Sequence, residues 1–305
     1  WIMAYTTIDD PSAYFQTKIY TGNGSTQDIT FDGNSNLQPD FLWLKGRSLA
    51  EGHTLQNSVS GVTKHLHSQN ADAEVTDTGI VTAFNSNGFS LGDEGDVNGN
   101  TSTFVGWGWK KVAGVFDIQT YTGNGSNRTI AHNLGVVPQM MIIKKISASG
   151  GNWQVNTAQL GANQNIELDD LSNGLATDNS YFNNTRPTSS VFSLGTDGNQ
   201  NTDGVGYLGY FFGNKQGVSK VGSYTGNGNA DGNFIYLGFK PAFILLKGTA
   251  NTENWSMYDN KRTGFNVDNN VLAPNDSAAE LTDDNIDLLS NGFKIRRQTG
   301  LLNDA

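Results

Sequence analysis

The 305-residue chain contains no cysteine, which excludes disulfides, thiol nucleophiles and thiolate metal sites. Charge is scarce as well: Asp, Glu, Lys and Arg make up 16% of the residues. Positive charge is the scarcer sign, with 19 Lys and Arg against 29 Asp and Glu and a formal net charge of −10. Phosphate recognition needs clustered basic side chains. Here they come only as isolated pairs such as Lys110-Lys111, Lys144-Lys145 and Arg296-Arg297, so a nucleic-acid partner is not expected. No apolar run approaches the roughly 18 residues of a membrane-spanning helix, so no membrane partner is expected, and no signal-peptide apolar region opens the chain. Met3 followed by Ala4 reads as a natural start, with Trp1-Ile2 upstream of it. Helix signals are nearly missing; the clear one is Asp10-Pro11, an N-cap with Pro at the first helical position.

What the chain does have is repetition. Tyr-Thr-Gly-Asn-Gly occurs at Tyr20–Gly24, Tyr121–Gly125 and Tyr224–Gly228. Behind each copy, Pro precedes a four-residue apolar run that ends in Lys: Pro39-Asp-Phe-Leu-Trp-Leu-Lys45, Pro138-Gln-Met-Met-Ile-Ile-Lys144 and Pro241-Ala-Phe-Ile-Leu-Leu-Lys247. Four consecutive apolar residues predict a central strand covered on both faces, with Pro placed where no ladder donor is lost. Asn87-Gly-Phe-Ser-Leu-Gly92 is matched by Val191-Phe-Ser-Leu-Gly195 and Asn291-Gly-Phe-Lys-Ile295. Phe104-Val-Gly-Trp-Gly-Trp-Lys110 then closes the first copy and Tyr207-Leu-Gly-Tyr-Phe-Phe-Gly213 the second. Alternation puts Val105, Trp107 and Trp109 on one face of that strand, and Leu208, Tyr210 and Phe212 on its counterpart. Asn-Gly in the repeated motif tolerates φ > 0 and predicts a hairpin between strands near Thr17–Thr21 and Gln27–Phe31.

Short strands between polar turns, recurring every hundred residues or so, predict an all-β fold of three tandem antiparallel β-sandwich modules. The expected division is a lead-in over 1–19, repeat 1 over 20–115, repeat 2 over 116–220 and repeat 3 over 221–305, with short linkers at Val112–Asp117 and Gln216–Gly222. The third copy is expected to lack its closing aromatic strand, either because the reading frame is cut short or because a partner supplies the strand. Its bare sheet edge is a template for pairing, and so for a homo-oligomer.

Candidate chemistry is sparse. Glu94, Asp96 and Asn98, followed by Gly99, place oxygen ligands on alternating residues as a calcium loop does, and Asp197, Asn199 and Asn201 repeat the spacing. Calcium is the one cofactor suggested, although Val105 stands where such a loop ends in Glu. His65 and His67 share a strand face but bring no third zinc ligand. Glu74 and Glu280, in matching Ala-Glu-x-Thr-Asp segments, read as surface loop. Trp153 and Trp255, each after Asn and at equivalent places, are the candidates for stacking on a sugar face; packing in a core or between modules is the competing expectation. Motifs shared by the copies are apolar, Gly and Pro, which points to architecture and not to a catalytic centre.

The opening Met3-Ala-Tyr-Thr-Thr-Ile-Asp-Asp-Pro-Ser-Ala-Tyr-Phe-Gln-Thr, with Tyr-Thr-Gly-Asn-Gly, Pro-Asp-Phe-Leu-Trp-Leu-Lys and Gly61-Val-Thr-Lys64, resembles a family of repeat proteins encoded by marine tailed phages and abundant in ocean metagenomes. The resemblance covers essentially the whole chain. It implies a virion structural protein, a tail fibre or surface appendage, made of concanavalin- or laminin-G-like (jelly-roll-like) modules and located in the virion after assembly in the host cytoplasm. Its implied partners are other virion subunits or a host surface glycan. Members show Asp and Arg before Gly-Val-Thr-Lys, where this chain has Asn57 and Ser60; the third copy keeps Asp259 and Arg262. The expected function is therefore viral structural or adhesive and not enzymatic. A lectin-like carbohydrate-binding protein is the alternative, with a glycan depolymerase behind it.

Overall fold

In the computed structural model the described residues are 8–170, 175–250, 252–262, 266, 268–298, 300 and 302–304; the start at Met3 lies outside them. They form an all-β protein in which every paired strand is antiparallel. Asp10 caps a short 3₁₀ turn, Pro11–Ala13, as the sequence predicts. The first copy then runs β1 (Phe15–Thr21), β2 (Gln27–Thr30), β3 (Phe41–Gly46), β4 (Thr54–Asn57), β5 (Lys64–His65), β6 (Val75–Thr76), β7 (Val81–Asn85), β8 (Gly88–Leu91), the one-turn α1 (Gly95–Asn98) and β9 (Thr103–Trp109). The second repeats the plan: β10 (Phe116–Thr122), β11 (Arg128–Ala131), β12 (Met140–Lys145), β13 (Gln154–Thr157), β14 (Gln164–Glu167), β15 (Ala176–Thr177), β16 (Val191–Leu194), α2 (Gly198–Asn201) and β17 (Gly206–Phe212). The third has β18 (Phe234–Tyr236), β19 (Phe243–Leu246), β20 (Ser256–Asp259), β21 (Asp268–Val271), β22 (Leu281–Leu289) and β23 (Gly292–Ile295).

The large sheet of the first copy is ordered β1-β9-β3-β4, and the small one β2-β8-β7. The second copy gives β10-β17-β12-β13-β14-β15 and β11-β16. The apolar run beginning after Pro is thus a central strand in the first two copies, since β3 lies between β9 and β4 and β12 between β17 and β13; in the third, β19 pairs with β20 alone among the described residues. The strand starting at Phe15, paired with Trp109, draws the second half of the lead-in into the first large sheet.

Strand alternation sorts the apolar residues into two kinds of core. Leu42, Leu44, Ile29, Phe89 and Leu91 fill the space between the sheets of the first copy. Met141, Ile143, Ile130, Phe192 and Leu194 do so in the second, and Ile244, Tyr258, Ile286, Phe293 and Ile295 in the third. The opposite faces of the large sheets meet in a shared central core that includes Phe41, Trp43, Val105, Trp107, Ile142, Leu208, Tyr210 and Met257. The aromatic face of the closing strands, Val105-Trp107-Trp109 and Leu208-Tyr210-Phe212, therefore packs between copies. Glycine lies on the other face because there is no room for more: a Cβ on Gly108 would sit 2.5 Å from the Phe31 ring, and one on Gly106 2.9 Å from Leu44.

One expectation needs correcting. Asn-Gly does not close a hairpin, because β1 pairs with β9 while β2 pairs with β8. The chain turns a corner from large sheet to small sheet there, and each residue of the motif has a task in holding that corner. The hydroxyl of Tyr20 donates to the Val97 carbonyl, Tyr121 to Gln200 and Tyr224 to Leu302, at 2.8 to 2.9 Å. The first glycine admits a close approach: a Cβ on Gly22, Gly123 or Gly226 would lie 2.2 Å from the carbonyl oxygen of Gly99, Thr202 or Asp304. The second takes φ of 66°, 66° and 62° at Gly24, Gly125 and Gly228, a region glycine enters without steric cost.

Candidate functional site

Asn98, Asn201 and Asn303 occupy equivalent places, and each latches that corner. The Asn98 amide donates to the carbonyls of Ser25 and Gly92, and its oxygen accepts from the Asn23 N–H and the Gln27 side chain. Asn201 donates to Ser126 and Gly195 and accepts from Asn124. Asn303 donates to Asn229 and Arg297 and accepts from Asn227. All three side chains are buried. The oxygens expected to converge on calcium are thereby put to other use: Glu94 and Asp197 cap α1 and α2 by accepting backbone N–H groups from Gly95 and Asn199, while Asn98 and Asn201 spend their amides on the corner. Burial raises the Asp96 carboxyl above the usual range, with Glu51 and Glu94 adding repulsion. Among the described residues no group of three or more His, Cys, Asp or Glu side chains is placed to hold a metal. His65 and His67 meet edge to face, with ring centroids 4.9 Å apart.

Trp153 and Trp255 are in the central core, 0% and 5% exposed, and offer no face to a sugar. Each ring instead crosses a seam between copies. The Trp153 ring N–H donates to the carbonyls of His67 and Asn70, and Trp255 to Glu167. The third member of the set is His53, whose Nε2 meets the Ala273 carbonyl at 2.9 Å. Its Nδ1 accepts from Trp43 at 2.9 Å, so the proton resides on Nε2 and the ring is neutral. Burial, with Lys45 adding repulsion, holds this histidine well below the usual range. Copy 2 thus reaches copy 1, copy 3 reaches copy 2, and copy 1 reaches copy 3. A second cycle runs through the backbone in the opposite sense: Glu74 N–H to Ile146 O, Leu175 N–H to Thr249 O, and Glu280 N–H to Arg47 O. Two closed cycles of equivalent bonds mean that the three copies form a ring with approximate threefold symmetry, not a string.

The seam between copies 3 and 1 is the most polar. Arg262 is buried and donates to Asp259 at 2.6 Å and to Glu280 at 3.1 Å. Asp259 also accepts the Trp107 ring N–H at 3.0 Å, and Glu280 accepts two bonds from Arg47. Glu280, expected on a surface loop, is therefore a tie between copies. Asn57 of copy 1 stands at the strand position of Asp259, which makes the acid and its arginine particular to this seam. The lysines that end the apolar runs cap nearby loops: Lys45 donates to the Gly46, Leu49 and Ser277 carbonyls and Lys144 to Gly151, and burial pushes both down to about 8.

A large cavity of about 1010 Å³ lies beside β19. It is bounded by residues 217–226, by β19 itself, and by Phe15, Trp109, Phe212 and Trp255 from the central core. Its floor is the central core, a junction of three copies that the sequence does not reveal. Neither a curated protein nor a solved structure matches the chain. A family model does match, over residues 10–305, so that the chain belongs to the family described as a domain of unknown function, DUF7483.

Proposed function

We propose that the protein is a viral structural or adhesion protein, a component of a tail fibre or virion surface appendage. In this reading each copy is a β-sandwich of the concanavalin or jelly-roll kind, the third without its closing strand. The observation that carries it is where the repeated polar residues go. Tyr, Asn and Gly of the repeated motif, with the latch asparagines, fix corners, while Trp153, Trp255 and His53 close the ring. What repetition preserves is a rigid assembly whose outward loops differ between copies, the arrangement suited to display. Repeated display of weak contacts raises avidity without new chemistry. The resemblance to phage repeat proteins supplies the setting, with virion subunits or host glycans as partners.

Antibodies raised against the chain should label purified virions by immunogold electron microscopy, and its peptides should be found in their digests. Virions of a phage carrying the gene that lack both signals would overturn the reading. The lectin alternative rested on Trp153 and Trp255, and their burial leaves it without a residue to carry it.

A further inference from the structure

β19 is built like β3 and β12 but is not surrounded like them. All six residues of β3 are buried and four of six in β12, whereas only Ile244 is fully buried in β19. β20 pairs with one edge of β19, and among the described residues no strand pairs with the other. Facing that edge, residues 220–226 follow the turn Lys215–Ser219 just as β10 follows the turn Val112–Phe116. They hold the place of β1 and β10 yet form no strand. The 1010 Å³ cavity lies between these two unpaired runs.

We propose that this cavity is the seat of a β-strand of the β9 and β17 type, delivered by the same chain from Asn303 onward. The delivery point is on the page. In the first two copies the closing strand begins five residues beyond the latch asparagine, at Thr103 after Asn98 and at Gly206 after Asn201. Asn303 is latched in the same way, and its carbonyl accepts the Gly228 N–H as those of Asn98 and Asn201 accept Gly24 and Gly125. The chain therefore arrives at the mouth of the seat with its direction set, antiparallel to β19. A strand from another molecule would bear the cost of association that a tethered one avoids.

The seat also specifies its occupant. Three alternate residues must be large and apolar to meet Phe243, Leu245 and Trp109 on the central-core side, as Leu208, Tyr210 and Phe212 do in copy 2. The second residue must be aromatic. Phe104 stacks on Tyr20 and Tyr207 on Tyr121, at 5.3 and 5.2 Å, and Tyr224 holds the matching position in copy 3. The proposal rests on the sandwich reading of the third copy and not on the virion reading, so failed labelling of virions leaves it standing.

The test appends to Ala305 the eleven residues of Gly204–Asn214, and in a control the same residues without the one matching Val205. A one-residue slip turns every side chain to the wrong face. The in-register extension should slow amide exchange at Phe243–Leu246 and at Val221–Thr225 at least tenfold. It should also raise the melting temperature by about 5 °C or more, and the slipped control should do neither. No protection, or equal protection by the slipped control, would overturn the seat. Protection by the free peptide but not by the tethered one would overturn the source, placing the strand on another molecule.

Discussion

Replacing Asn98 with Ala isolates the corner latch, because the side chain is fully buried and touches four partners. Each lost hydrogen bond is worth about 1 kcal/mol net, and the carbonyls of Ser25 and Gly92, left without a donor, add desolvation that bends the total upward. Relaxation and water entry at the corner act the other way, so about 3 kcal/mol is the expected loss. For 305 residues unfolding as one unit, with an unfolding entropy of about 2.1 cal/mol/K per residue, that corresponds to a melting temperature lower by roughly 5 °C. Asn98→Asp should cost at least as much, since a carboxylate would face two carbonyl oxygens that now receive N–H donors. Asn201→Ala removes three bonds and should fall slightly below Asn98→Ala. Urea unfolding gives the energy, and hydrogen exchange gives the place: the N–H groups of Gly22 and Gly24, bonded to Ser102 and Asn98, should lose protection before the central strands do. A loss below about 0.5 kcal/mol, the size of an ordinary surface change, would refute the latch. So would protection loss spread evenly over the first copy.

Other expectations follow from the same contacts. Asp259→Leu leaves the buried Arg262 guanidinium without its nearest partner and should cost about 3–5 kcal/mol, whereas Asp259→Leu with Arg262→Met should recover most of it; equal losses in single and double variants would remove the ion pair from the account. His53 is neutral when folded, and burial together with neighbouring His67 pushes His65 down to about 4 from an ordinary 6.5. The unfolded chain then binds more protons below pH 6.5, so stability is complete above that pH and falls towards pH 4, by up to ~1.4 kcal/mol per pH unit for each ring. Asp169, raised by burial to about 6, works in the opposite sense, regaining stability as pH falls from 6 to 3.8. His65→Leu should therefore flatten the decline measured by urea titration between pH 7 and 5, and an unchanged slope would exclude that histidine. Gly123→Ala, whose new methyl would meet the Thr202 carbonyl at 2.2 Å, should lower the melting temperature by at least about 5 °C, while Gly95→Ala, which meets nothing within 4 Å, should leave it within about 2 °C.

The strands were legible because their signals are local. A Pro followed by four apolar residues marked β3 and β12 as central strands, and alternation at Val105, Trp107 and Trp109 marked the closing one. The corner was misread as a hairpin because Asn-Gly reports a backbone conformation and not which strands pair; the positive φ at Gly24 is there, but the partner of β1 is β9, eighty residues on. The calcium-like spacing was real spacing, yet Asn98 and Asn201 face inward to carbonyls, a choice made by the packing of α1 and α2 beneath the corner. Trp153 and Trp255 were recognised as equivalent, while the third of their kind was not, because it is a histidine. The shared task is a ring N–H offered across a seam to a carbonyl, and imidazole and indole both supply one. No pairwise comparison of residue types reveals that until the ring is closed.

Closure explains why the large sheets are apolar on both faces. Trp43 and Trp107 alone bury roughly 300–500 Å², about the largest apolar patch a soluble monomer tolerates, and they share their face with Leu55, Leu66 and Val105. A single copy cut from the chain would turn that face to water and is expected to self-associate, so the three copies are one folding unit even though the sequence presents them in series. Short turns tether copy 1 to copy 2 and copy 2 to copy 3, and the ring and backbone bonds across those seams add to a tether that already keeps the faces close. Copies 3 and 1 have only their contacts. Along that seam are the ion pairs of Arg47 with Glu280 and Lys261 with Asp32, and the bonds from Ser68 to Pro274, Lys45 to Ser277 and Trp107 to Asp259. Directional polar bonds fix register where covalent connection does not, and Asp259 takes part by accepting the Trp107 ring N–H while Arg262 holds its carboxylate in place.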